Sequence, residues 1–120
     1  MWDVLTTNLR GTYLVTRAFL PLLLKSETKT IITVTSVGAL LVNPNLSAYH
    51  VSEMGLLKFA QQINAEYAPQ GVISFAIHPG NCPTDIMGGP NGVPPHLKDG
   101  RHLHFVFVFI FIFPKDTAHN

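Results

Sequence analysis

One cysteine, Cys82, stands in the whole chain, so no disulfide can close within it and the usage suits a reducing compartment. Charge is almost as scarce. Charged residues make up 12% of the chain and leave a formal net charge of +1, which gives no electrostatic footprint for nucleic acid or an anionic membrane surface. No apolar run reaches the roughly 18 residues that a membrane-spanning helix needs. Met1-Trp2-Asp3 is followed by polar Thr6, Thr7 and Asn8, with no basic segment leading into an apolar core. No targeting segment is read there, and the cytoplasm is the default address. His78, His96, His102 and His104 lack ligand spacing with carboxylates or thiols, so no metal site is expected. Asn45-Leu46-Ser47 matches a glycosylation acceptor, but without a secretory signal the match reads as coincidence.

What is present is apolar and patterned. Hydrophobic residues are 47% of the 120, too many for a disordered chain, and the length allows one domain. Val4, Leu5, Leu9, Tyr13, Leu14 and Phe19 recur at helical spacing, which predicts a helix over 3–24 with Pro21 near its end. Thr30 to Thr35 (TIITVT) is β-branched and predicts a buried parallel strand. Val37 to Leu46, with Gly38, Asn43 and Pro44, predicts a loop. A second helix is expected over 47–68, closed by Pro69-Gln70-Gly71, and a second strand over 72–77 (VISFAI). Helix, strand, helix, strand implies an α/β layer with a parallel pair and a crossover. Residues 78–100 hold five prolines and five glycines and predict a surface loop.

The tract Phe105 to Phe113, FVFVFIFIF, belongs to neither pattern. As a strand it is apolar on both faces, the signature of an aggregation-prone segment. Phe, Val and Ile share thymine at the second codon position, so translation of a T-rich non-coding stretch is one reading. A buried edge strand or a hydrophobic docking tail is the other.

Four segments carry chemistry. Trp2-Asp3 through Asn8-Leu9-Arg10-Gly11, then Val15-Thr16-Arg17-Ala18, is the first. Ile31 to Gly38 (IITVTSVG) is the second, and Ser47-Ala48-Tyr49-His50-Val51-Ser52-Glu53 the third. The fourth is His78-Pro79-Gly80-Asn81-Cys82-Pro83-Thr84. In this order, with Tyr49 following Ser36 by thirteen positions, they resemble the C-terminal half of a short-chain dehydrogenase/reductase over residues 2–99. Residues 1–99 are then part of an NAD(P)-binding domain, and 100–120 an atypical tail. The resemblance implies a partial Rossmann-like, doubly wound parallel sheet, of which this chain holds two strands and two helices. It also implies hydride transfer between NAD or NADP and a small carbonyl or alcohol.

By that resemblance Tyr49 is the acid/base, Ser36 holds the substrate oxygen and Asn8 supports a proton relay. Tyr49, Pro79, Gly80, Asn81 and Thr84 touch the cofactor. The residue types suit the chemistry. A tyrosine hydroxyl titrates near 10 in water and must be drawn toward working pH to serve as acid or base. Taken singly, a serine at a strand end is commonly a cap, and a tyrosine near a helix start is commonly packing.

The chain also departs from the pattern. The lysine of the family's Tyr-x-x-x-Lys segment is Glu53 here, four residues from Tyr49 on one helix face, and a negative charge there disfavours a phenolate. Glu53 retains the capacity to accept hydrogen bonds from ribose hydroxyls. Lys58, nine residues beyond Tyr49, lies on the opposite face and cannot substitute. No glycine-rich G-x-G-x-x-G turn, which would receive a pyrophosphate, occurs in the chain. The expectation is therefore a truncated member, inactive alone, with Met1 an internal methionine or a misplaced start. Two other readings stand beside it. One is a non-catalytic dimer partner of an intact relative, through helices 3–24 and 47–68. The other is a gene-model fragment without function.

Overall fold

The computed structural model describes residues 1–80 and the backbone of 109–112. Trp2–Leu5 (α1), a π-helical turn at Thr6–Arg10 and Gly11–Leu23 (α2) follow one another without leaving helical backbone angles. This replaces the plain α-helix expected over 3–24. At the π turn the Gly11 N–H donates to the Thr6 carbonyl, so one extra residue is looped into the helix. The helix also runs past Pro21, which removes one ladder bond but leaves the Leu24 N–H donating to the Leu20 carbonyl at 2.9 Å.

Thr30–Val34 (β1) and Ile73–His78 (β2) pair in parallel, Thr30 opposite Ile73 and Val34 opposite Ile77. Ser47–Tyr67 (α3) makes the crossover between them. It ends in a 3₁₀ turn, Ala68–Gln70, and at Gly71, whose φ of 85° lets the chain reverse into β2. The expected loop after β1 begins instead with a 3₁₀ turn, Val37–Ala39.

The two expected parallel strands are both present, and among the described residues a third strand joins them. Phe109–Ile112 (β3) lies antiparallel to β2, with Phe109 opposite His78 and Ile112 opposite Phe75. An edge strand is thus the conformation this part of the tract takes. The second edge of β2 would otherwise present unpaired N–H and C=O groups, which a β-prone segment satisfies. The proline- and glycine-rich stretch after residue 80 falls outside the described residues, as do Asn81 and Thr84.

The core lies between α3 and one face of the sheet. Leu56, Ala60 and Ile63, spaced along one stripe of α3, are buried with Val72 and Ala76. The residues that β1 and β2 turn toward this side are small or polar: Thr33, Ser74, Ala76 and His78. The opposite face is open, with Ile32 at 59% and Val34 at 58% exposure. These observations describe a small α/β layer, part of a Rossmann-like sheet. Among the described residues no helix is long and apolar enough to cross a membrane.

Candidate active site

Ser36 follows the C-terminal end of β1 and Tyr49 lies in the first turn of α3. In parallel α/β sheets this end of the strands is where ligands bind. Gly38 joins the two residues. Its backbone N–H donates to Ser36 Oγ at 3.0 Å, making Ser36 the cap of the 3₁₀ turn. A Cβ built on Gly38 would lie 3.1 Å from Tyr49 Cε1 and 3.3 Å from Ser36 Oγ. The absence of a side chain there is what lets the tyrosine ring approach the serine. The cap occupies one lone pair of Ser36 Oγ and leaves its proton available to donate. Tyr49 is 39% exposed, and its ring meets His50 edge-on at 6.0 Å. His50 in turn bonds through Nδ1 to the Leu41 carbonyl, tying the segment after the 3₁₀ turn to α3.

Asn8 sits in the π turn. Its Nδ2 donates to Ser52 Oγ at 2.9 Å, and Ser52 Oγ donates to the Tyr49 carbonyl at 2.7 Å. The extra residue in the turn and the hydrogen bond to α3 occur together, and π turns of this kind recur at functional sites. Gly55 allows the close approach of the two helices: a Cβ there would lie 2.6 Å from Leu9 Cδ2. Asn8→Ala is expected to lower stability by about 1 kcal/mol through loss of the bond to buried Ser52. Urea unfolding measures it, and an unchanged midpoint would show that Asn8 does not fasten α3.

Glu53 does not stand beside Tyr49 as an open carboxylate. It is 6% exposed, and its Oε2 lies 2.9 Å from Thr35 Oγ1. The backbone N–H of Ser36 donates to the same carboxyl group. Burial pushes this carboxyl above the ordinary glutamate range, and the hydrogen bond from the Ser36 N–H partly opposes the shift. Lys58 is turned away and bonds Gln61 Oε1.

Pro79 and Gly80 follow β2 beside this end of the sheet, with Gly80 at φ 94°. Among the described residues, Ser36, Tyr49, Pro79 and Gly80 share the carboxyl end of the strands. They do not supply a pyrophosphate cradle, and Glu53 is engaged inward rather than presented to a ribose. Among the described residues no group of three or more His, Cys, Asp or Glu side chains could hold a metal. A separate groove of about 590 Å³ runs between α2 and β1, lined in part by Val15, Phe19, Ile32 and Val34, and includes neither Ser36 nor Tyr49.

Thr35, Gly38 and Ser52 had no role in the sequence reading. Each lies within or beside a quoted segment. Ser52 has one further signal, its placement three residues after Tyr49 on the helix.

A family model described as short chain dehydrogenase matches residues 1–91. The chain is 63% identical over 97 residues to the short chain dehydrogenase pigC of Monascus ruber, covering 81% of this chain and 32% of that protein. It is also 63% identical over 100 residues to the short chain dehydrogenase tazN of Aspergillus terreus, covering 81% of this chain and 22% of that one. A 3-oxoacyl-(acyl-carrier-protein) reductase of Synechocystis is 34% identical over 91 residues, which is 76% of this chain and 37% of that protein. The chain thus spans about a third or less of the two fungal relatives.

Proposed function

Because this chain belongs to the short chain dehydrogenase family, we propose that it carries the substrate-oxygen end of an NAD- or NADP-dependent oxidoreductase site for a small carbonyl or alcohol. The observation that supports this most directly is the approach of Ser36 Oγ and the Tyr49 ring across Gly38. A carbonyl oxygen placed between them accepts a hydrogen bond from the Ser36 hydroxyl, which orients the carbonyl and stabilises the charge that builds on its oxygen. Tyr49 then gives its proton to that oxygen, and the reverse steps serve alcohol oxidation. Asn8 supports the tyrosine through Ser52 and the Tyr49 carbonyl. The dinucleotide, when bound, supplies or takes the hydride. The Synechocystis relative's name, which is that of a reductase of a 3-oxo group, agrees with a carbonyl substrate.

Glu53 sets the rate on this reading. A lysine near Tyr49 favours the phenolate, and a glutamate cannot. Glu53→Lys, in a protein that also contains a glycine-rich dinucleotide-binding segment, is expected to raise turnover roughly tenfold or more. Turnover is measured per folded molecule, since the lysine gives up the carboxyl oxygens now bonded to Thr35 and Ser36. A variant no faster than its parent would remove Glu53 as the cause of low activity.

A second reading rests on the apolar side chains that the helices leave exposed. Leu14, Phe19 and Leu22 on α2, and Val51 and Met54 on α3, are open to solvent. A non-catalytic partner would cover them by pairing with an intact relative. Co-expression followed by co-purification tests it, and failure to associate at any ratio sinks it.

A further inference from the structure

Thr35 Oγ1 lies 2.9 Å from two oxygens of one residue, the Glu53 carbonyl and Glu53 Oε2. A threonine hydroxyl has a single proton. If the carboxyl is ionised, the two Glu53 oxygens compete for that one proton, and it serves two acceptors poorly. If the carboxyl carries a proton, each contact has its own donor. Thr35 then donates to the Glu53 carbonyl, and the Glu53 carboxyl donates to Thr35 Oγ1. The Ser36 N–H donates to the same carboxyl, as it does in either state.

The surroundings favour the second arrangement. Glu53 is buried, and no described lysine or arginine pairs with it. An unpaired buried charge is costly, whereas a neutral carboxyl with its hydrogen bonds made is not. We propose that Glu53 is a positioning residue that works as a neutral carboxylic acid, donating to Thr35 Oγ1 and clamping the Ser36 end of β1 onto α3. Its effect on Ser36 matters to catalysis only if the oxidoreductase reading holds, but its protonation does not depend on that reading. The raised titration of Glu53 agrees with the geometry.

The sign for stability follows. A carboxyl whose folded titration is raised contributes fully below the unfolded value of about 4.3, and the contribution is lost as pH rises through the folded value. Other ionisable groups on the elements packed around α3 are Asp3 on α1, Arg10 in the π turn and His78 on β2. Tyr49 and His50 share α3 itself. Burial holds His78 below its ordinary titration, so its contribution falls with falling pH, the opposite direction. Comparing the protein with Glu53→Gln cancels these groups, because the amide keeps both a donor and an acceptor but cannot ionise.

The test is infrared spectroscopy of the 120-residue chain near neutral pH, with melting followed over the same pH range. The expected result is a carboxylic-acid C=O band that is absent from Glu53→Gln and changes frequency in Thr35→Val. The melting temperature of the unsubstituted chain should fall relative to Glu53→Gln as pH rises. If Glu53→Gln does not fold, the band of the unsubstituted chain must convert to a carboxylate band as pH rises, and Thr35→Val must lower the pH of that conversion. A carboxylate band alone at neutral pH overturns the proposal, as does an acid band that persists in Glu53→Gln. Neither outcome bears on whether the site transfers hydride.

Discussion

Tyr49→Phe is expected to cut carbonyl reduction by about 10²–10⁴-fold, the usual contribution of a positioned proton donor, when this chain is joined to a dinucleotide-binding segment from a relative. The substitution isolates the hydroxyl. The ring packs at Gly38 and against His50, contacts that phenylalanine keeps, and the helix is held through the Tyr49 carbonyl rather than the side chain. Stability should therefore stay within about 0.5 kcal/mol. The loss should appear in kcat and kcat/KM together, because the proton is transferred in the transition state rather than used to bind the ground state. If kcat/KM changes by less than a few-fold, Tyr49 is a packing residue and the acid must be sought elsewhere.

The second large effect is on folding. Leu56→Ala is expected to cost about 2–5 kcal/mol, since its side chain is buried between α3 and the sheet and truncation leaves a cavity. Among the described residues the buried apolar set is short: besides Leu56 it includes Ile63 and Val72, with the remaining places taken by alanines. Small domains hold only a few kcal/mol in reserve, so the variant should lose its cooperative transition near room temperature. Met54→Ala, on the exposed side of the same helix, is the control and should change little. Equal urea midpoints for the two variants would mean that the α3–sheet contact is not the core.

Periodicity and residue type made the helix 47–68 and the two parallel strands legible, because α3 keeps a buried stripe, β1 is β-branched throughout and β2 is a short, largely apolar run. The start of α1–α2 was less so. Nothing in the string Thr6-Thr7-Asn8-Leu9-Arg10 marks an extra looped residue, which arises when the helix must meet α3 at Ser52 and Gly55. The strand at Phe109–Ile112 was one of several readings, since a tract apolar on both faces has no period to choose a partner. At the site, the family resemblance of the four segments pointed to Ser36 and Tyr49, which both lie against Gly38. Thr35, Gly38 and Ser52 act through contacts between elements, and such contacts have no signature in local sequence. For Glu53, helical spacing gave the face but not the direction of the carboxyl, which a short reach to Thr35 and Ser36 decides.

The strand order β1-β2-β3 has a consequence for how the sheet opens. Among the described strands β2 is bonded on both sides, while β1 has one neighbour, β2. Deuterium should therefore enter unevenly. Amides of Ile73–His78 exchange last, and those of β1 that point to its unpaired edge exchange first, on the time scale of local opening rather than global unfolding.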